Sequence, residues 1–405
     1  MFFALIALPS DSEMGQSCLK EFSDDAKPSK QKSTKYESHK VVALEHTDHP
    51  HAKMCEPSLI AKKFREFGPI CTPQEALLCI AAADSCTDGS KQLLAAGEDR
   101  SITLLNYETG HILQRWRKAH DRDVMCLTRP IVSGHFASGG RDKLIKIWSI
   151  QSPNPISSME GHSLHISSVT FDESGRFLIS GSRDNTVRLW DVERAEALSV
   201  HDIKLNVVHF VRWLDPLRCV AQGGEDLTIR LWDLRVAPNA ATATLDLGAT
   251  ISNFDYHPIC ADAILTNEDP NVLLTGHNGC NGEGSMITEW DIRMRKPSRL
   301  FQGHRFTVRG VQRLRADYNS PGIKGRVVSC GDDGTVKLWD LASAEDTPER
   351  SEEFREGRIS CMDESKDGCL LFSLRNGCVV LLQPNREGDT ASFLRYRYVG
   401  SPDGS

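Results

Sequence analysis

Four tryptophans carry the feature that most restricts this chain. Trp148, Trp190, Trp232 and Trp339 each follow an aspartate by six residues, at Asp142, Asp184, Asp226 and Asp333. The connecting residues alternate in character, as in Thr186-Val187-Arg188-Leu189, and period-two alternation means a β-strand. With the Trp position as a ruler, degenerate copies fall at Leu105, Trp290 and Leu382, giving seven copies spaced by 43, 42, 42, 58, 49 and 43 residues. A period near 42 residues that holds one small antiparallel unit is the signature of a radial repeat architecture.

Within one copy the turns are as legible as the strands. Residues 166–171 read as a first strand and Asp172-Glu173-Ser174-Gly175 as a turn. A second strand follows over 177–180, then a tight turn at Arg183-Asp184-Asn185, a third strand ending at Trp190, and a fourth strand near 197–200. Four short strands separated by turn formers make one sheet that cannot cover its own apolar faces. Arranged radially, such sheets pack face on face and leave only short edges. The expectation is an all-β, seven-bladed propeller over residues 74–400, preceded by a largely disordered extension over 1–73. The two long spacings are expected to be loops, with extra chain at 260–270, 279–284 and 316–325. A last strand at 393–399 or an N-terminal strand at 41–44 could close the ring.

Three copies share polar residues at matched positions: His120, Ser138, Asp142 and Trp148; His162, Ser180, Asp184 and Trp190; His304, Ser329, Asp333 and Trp339. Buried polar groups need partners, and a chain from carboxylate through imidazole and hydroxyl to an indole N–H would satisfy every donor and acceptor. Ser, His and Asp also form a hydrolytic triad. A catalytic set occurs once, beside a cleft, whereas this one recurs at a fixed repeat position and ends on Trp, so the structural reading wins. The other copies, with Leu105, Gln222, Leu382 and no clear Asp before Trp290, are expected to be held by apolar packing alone.

The runs Leu189-Trp190-Asp191, Leu231-Trp232-Asp233 and Leu338-Trp339-Asp340, with Gly161-His162 and Gly303-His304, resemble the WD-repeat family over about four fifths of the chain. That resemblance implies a rigid scaffold binding proteins or peptides on its rims, without catalysis or cofactor. A finer resemblance rests on Ser182-Arg183-Asp184-Asn185-Thr186, on Trp213 followed by Glu225-Asp226, and on the Gly-rich stretch 278–284 before Trp290-Asp291-Ile292-Arg293. It is to members associated with cilia, flagella and membrane-linked trafficking. The stretch 226–235, with Trp232, Asp233 and Arg235, also resembles the adaptor-binding box of substrate receptors for cullin-based ubiquitin ligases, where the Arg would pair with an adaptor acid. That is the alternative function.

Composition removes other classes. Lys and Arg number 48 against 55 Asp and Glu, a formal charge of −7, which lacks the basic excess that nucleic-acid binding requires. No run of about 18 apolar residues could cross a bilayer as a helix. Thirteen cysteines, several inside apolar strands, read as reduced thiols of a cytoplasmic protein. The apolar opening at 2–8 lacks the positive flank of a secretory signal. His46, His49, His51 and Cys55 fit no closed four-ligand metal site and read as solvated tail. Met14-Gly15-Gln16-Ser17-Cys18 would offer Gly15 for myristoylation and Cys18 for palmitoylation if translation began at Met14. Two acyl chains, or one with Lys27, Lys30, Lys32 and Lys35 on an anionic leaflet, would attach the protein stably to a membrane. The expectation is thus a monomeric propeller with protein partners, a membrane surface as a further one, and no nucleic acid.

Overall fold

The computed structural model describes residues 75–398, apart from 85–89, 130–133, 173, 204–206, 216–218, 225–228, 234–248, 252–257, 267–268, 315–325, 344, 355–356 and 385–392. For the strand residues 214–215, 219–224, 231–233, 249–251, 263–266, 269–271, 383–384 and 393–398 only the backbone is described. The chain divides into units 1–62 and 63–405, and every described residue lies in the second. The lipidation positions Gly15 and Cys18, the strand at 41–44 and the insertion at 316–325 lie outside the described residues.

Within that unit the strands pair into seven four-stranded antiparallel sheets, and no helix occurs among the described residues. The sheets span 77–116, 124–159, 166–202, 208–251, 258–302, 308–353 and 359–398, each in simple meander order. The third sheet shows how sequence becomes strand. Its strands are Ile166–Phe171, Phe177–Ser182, Thr186–Asp191 and Glu196–Asp202. Asn185 takes φ 66 in the tight turn, a left-handed conformation that Asn tolerates. The fourth strand holds only exposed and half-buried residues, whereas Leu178 to Ser182 in the second strand are wholly buried. Burial therefore peaks in the second strand, which has a neighbouring sheet on both faces, whereas four of the six residues of the innermost strand Ile166–Phe171 are half-buried.

The first strand of each sheet lies against the first strand of the next, and Leu77–Ala82 of the first sheet lies against Ile359–Glu364 of the seventh, which closes the ring. The last strand of the seventh sheet, Phe393–Tyr398, comes from its own copy, so no sheet is shared between the two ends of the propeller. Closure therefore rests on side chains. Leu77, Ile80, Leu93 and Leu105 pack against Cys369, Leu371, Val379 and Leu381. Asp363 of the seventh sheet accepts the Ala82 N–H at 2.8 Å and is paired with Arg129, which follows the first strand of the second sheet. Asp84 accepts from Tyr107 Oη at 3.0 Å and from the Lys366 N–H at 2.8 Å.

Close approach at the inner seams explains the small residues there. A Cβ on Gly181 would stand 2.3 Å from Val208 of the next sheet, so only glycine fits. The expectation of a loop at 260–270 is corrected. Residues Pro258–Thr266 and Asp269–His277 form a long hairpin of two nine-residue strands. Ala261 pairs with Thr275 and Ala263 with Leu273, so the apolar alternation was that of a strand. The stretch 279–284 is a structured turn and not a slack loop. Cys280 and Glu283 form an isolated bridge, Gly282 takes φ 90, and the Gly282 N–H donates to Arg305 O at 2.8 Å.

Candidate functional site

The twelve matched residues come together as three hydrogen-bond chains. In the third sheet Trp190 Nε1–H donates to Ser180 Oγ at 2.8 Å, Ser180 Oγ lies 2.7 Å from His162 Nε2, and His162 Nδ1 lies 2.9 Å from Asp184. A carboxylate has no proton to give, so Nδ1 donates to it, Nε2 accepts, and the serine hydroxyl donates to Nε2 while receiving the indole N–H. Every polar atom in the line is then matched. The second sheet repeats the chain through Trp148, Ser138, His120 and Asp142, and the sixth through Trp339, Ser329, His304 and Asp333, with Ser to His distances of 2.7 Å in both.

The serines are 0% exposed, and each indole seals its chain against the preceding sheet. Trp190 packs on Ala137, Ile145 and Met159, and Trp339 packs on Leu274, Ile287 and Phe301. No substrate can reach such a hydroxyl, and its histidine is already committed to holding it. A cation sits two residues before each of these tryptophans: Lys146, Arg188 and Lys337. The Arg188 guanidinium lies over the Trp190 ring at 6.0 Å.

The carboxylates explain a pH dependence. Burial pushes the Asp184 carboxyl up, but the hydrogen bonds from His162, Thr186 and the Ser163 N–H outweigh it and hold it well below the usual range. Asp333 is held down likewise against its burial, by His304, Arg305 N–H and Thr335. Asp142 has Leu144 where the others have Thr; against burial it is lowered by His120 and by the N–H groups of Asp121 and Leu144. A carboxyl lowered in the folded state contributes stability that is complete above the unfolded Asp value of about 3.9 and is lost as pH falls through the folded value. The unfolding midpoint should thus be set by other groups above about pH 4 and fall steeply below it. A scan from neutral to about pH 2.5 in which the triple variant Asp142→Asn, Asp184→Asn, Asp333→Asn declines in parallel with the parent would refute this origin.

Two copies expected to rely on apolar packing also carry polar networks. Trp290 Nε1–H donates to Thr275 Oγ1 at 2.9 Å, and Thr275 Oγ1 lies 2.9 Å from His277 Nε2. Thr275 stands opposite Thr288 as Ser180 stands opposite Arg188, so it occupies the serine place. It sits 15 residues before its Trp instead of 10 because the turn between is longer. In the first sheet Asp99, six residues before Leu105, is hydrogen-bonded by Ser101 and paired with Arg115 at 3.0 Å. The place of Thr275 was legible from strand register but not from a ruler that starts at Trp, whereas Asp99 stands at the ruler's own position in a copy whose Trp is replaced by Leu105. Thr186 and Thr335 were missed because two residues after Asp looked like ordinary strand.

Of the adaptor-box residues, Trp232 and Asp233 lie at the end of the strand Ile229–Asp233, opposite Val220 and Cys219. Arg235 lies outside the described residues. Among the described cysteines only Cys280 is exposed; burial pushes the Cys126 and Cys260 thiols up to about 12 and Cys79 well above its ordinary value. Cys79, Cys126, Cys260 and Cys361 occupy the same bulge position of four first strands, where a small apolar side chain fits between neighbours.

Antiparallel meanders place the histidine loops and the turns between second and third strands at one end of the ring. The loops of this end present Arg122, Arg141, Arg183 and Arg305 together with the exposed apolar residues Leu164 and Phe306. Loops of this end are anchored directly into the buried chains, since Asp184 takes the Ser163 N–H at 2.8 Å and Asp333 the Arg305 N–H at 2.9 Å.

The comparisons with known proteins agree with this geometry. The family described as "WD domain, G-beta repeat" matches residues 111–149, 153–191 and 295–340, the stretches that hold the three complete chains' tryptophans. A WD repeat-containing protein 55 homolog of Aedes aegypti is 28% identical over 88 residues, covering 22% of this chain and 18% of that protein. WD repeat-containing protein 55 of Danio rerio is 27% identical over 93 residues, 23% of this chain and 24% of that protein. The chain thus spans less than a quarter of the length of these relatives. Among solved structures, the WD40 beta propeller domain of Doa1 superposes with a TM-score of 0.62 at 16% identity, over 77% of this chain and 94% of that one. The fold is that of an all-β propeller, and three of its stretches match the WD-repeat model.

Proposed function

We propose that this seven-bladed propeller is a non-enzymatic protein-interaction scaffold, tethered to a membrane surface by its N-terminal segment and serving trafficking assemblies at a cilium or flagellum. The observation that carries the scaffold reading is the closure of the Ser-His-Asp sets. Each nucleophile candidate is 0% exposed and bonded to an indole, so these residues spend their chemistry on rigidity. What remains for partners is loop surface on a stiff frame. The named relatives are themselves described only as WD repeat-containing proteins, which suits a scaffold without assigning one.

The tether and the ciliary setting rest on sequence. Met14-Gly15-Gln16-Ser17-Cys18 supplies two acylation positions, and the Lys27 to Lys35 cluster supplies the charge that one acyl chain needs for stable attachment. The Gly-rich turn at 278–284 resembles the corresponding stretch of WD repeat-containing protein 31, which supports the ciliary assignment. We place the molecule in the cytoplasm, as a monomer. Terminal peptide analysis of the protein from its native cell should find an acylated Gly15. Gly15→Ala should move the protein from the membrane to the soluble fraction with its thermal unfolding unchanged. Equal partitioning of parent and variant would remove the tether and leave a soluble propeller.

A further inference from the structure

The charge of the chain is unevenly placed. Overall it carries −7, yet the described loops at the histidine end expose ten Lys and Arg side chains against four exposed Asp and Glu. The aspartates Asp142, Asp184 and Asp333 do not offset this, because they face inward to His120, His162 and His304. The excess is densest over the second and third sheets. There Arg122, Arg141, Lys143 and Arg183 are exposed, and the half-buried His165 lies among them. Burial and then the Arg183 and Arg141 charges push the His165 imidazole down, so the two guanidinium groups act on the same spot. Arg141 has Asp123 at 3.1 Å in an exposed pair, which stabilises little and exchanges readily. No ion pair engages Arg122 or Arg183 among the described residues.

The same loops hold apolar side chains out of the core. Leu164 is 48% exposed and follows His162 by two residues; Phe306 is 40% exposed and follows His304 by two. The backbone at Leu164 is fixed, since its carbonyl accepts from Ser182 Oγ and the Arg183 N–H donates to His165 O at 3.1 Å. A rigid apolar side chain beside Arg side chains is the usual make-up of an interface centre. A lipid surface or a nucleic acid would call for a continuous cationic tract. Here Glu98, Asp121, Glu160 and Glu283 stand among the cations and would repel closely spaced phosphates.

We infer that the histidine end of the propeller is a docking surface for an acidic peptide segment of a partner protein, with Arg122, Arg141 and Arg183 engaging its carboxylates and Leu164 receiving an apolar side chain. The inference rests on the scaffold reading and gives it a partner chemistry. Carboxylates displace Asp123 from Arg141 and form forked pairs with guanidinium groups, which Lys could not reproduce. Opposite charge on the two molecules also speeds encounter, an effect that salt removes.

The test is a selection of random dodecamer peptides on the immobilised full chain, repeated with Arg141→Glu/Arg183→Glu. Both positions are exposed, so circular dichroism and thermal unfolding should show that this variant folds as the parent does. Selected peptides should be enriched in Asp and Glu around at least one large apolar residue. Their binding to the variant should weaken by about tenfold or more, and binding to the parent should weaken similarly between about 0.05 and 0.3 M salt. Leu164→Asp should shift the selected sequences away from the apolar residue. Peptides selected without acidic enrichment, or bound equally by the charge-reversed variant, would overturn the inference and leave the scaffold standing. Failure to select any peptide would count against the scaffold reading itself. A single-stranded oligoribonucleotide or phosphatidylserine vesicles displacing the selected peptide and binding more tightly would replace the acidic peptide by a phosphate polymer or surface.

Discussion

Trp190→Ala is expected to lower the unfolding free energy by about 3–5 kcal/mol, the cost of deleting a large buried aromatic side chain from a site that cannot collapse. The indole is 1% exposed and wedged against Ala137, Ile145, Ile147 and Met159 of the preceding sheet, so its loss opens a cavity at a seam and not merely within one sheet. It also removes one of two donors or acceptors that fix the Ser180 hydroxyl. Asp184→Ala should cost about 3 kcal/mol by a different route. That carboxylate accepts from His162, from the N–H groups of Ser163 and Thr186, and from the Thr186 hydroxyl, all of which lose their acceptor at once. Because the two residues belong to one chain, the double variant should cost less than the sum of the singles. Urea unfolding midpoints would measure all three; a midpoint unchanged in either single variant would refute the hydrogen-bond chain as a stabilising unit.

Asp363→Ala should cost about 3 kcal/mol and act at one place in the ring. Asp363 lies where the first and seventh sheets meet without a shared strand, and it serves the Ala82 N–H and the Arg129 guanidinium together. Burial works against its charge, but Arg129 and the N–H groups of Ala82 and Glu364 hold its carboxyl below the usual range. The substitution leaves a half-buried guanidinium without its acid. The expected signature is local. Amide exchange should rise first in Leu77–Ala82 and Ile359–Glu364, before the third and sixth sheets respond, because the noncovalent seam is the weakest point of the ring. Uniform acceleration through all seven sheets would show that the seam opens only with global unfolding.

The parts of this fold that were readable early share one property: they are repeated. The Asp-to-Trp spacing of six residues predicted the third strands, because a turn and a strand are local events set by residues a few positions apart. Two of the departures came from sequence that breaks the period. Residues 260–270 read as an insertion loop because they add length, yet Cys260, Asp262 and Ile264 alternate with Ala261 and Ala263 and find a partner strand in Asp269–His277. Thr275 and His277 escaped notice because the long turn at 278–285 moves the hydroxyl five positions further from its Trp, while in space it keeps the place opposite the residue two before the Trp.

The candidate site divides along the same line. The chain of residues from Trp to Asp could be listed in full from spacing, since each repeat must satisfy its own buried polar groups and the identical solution recurs. Which copies lack it could not, because Asp99 takes Arg115 and Trp290 takes Thr275, partners supplied by strand pairing. The basic end is further still from the linear sequence. Arg122, Arg141, Leu164 and Arg183 belong to four different loops of a chain whose total charge is negative.

By itself, then, the sequence determined the repeat, the strand and turn of each copy, and the residues of the three buried chains, since all of these follow from local geometry and from the demand that buried donors and acceptors be matched. The tertiary structure alone decided how the ring closes, which face gathers the exposed cations, and where Asp363 stands between Ala82 and Arg129. The closure contacts join residues more than 200 positions apart, 281 for Ala82 with Asp363 and 234 for Arg129, and no periodicity along a chain reports which of its separate turns will come to lie side by side.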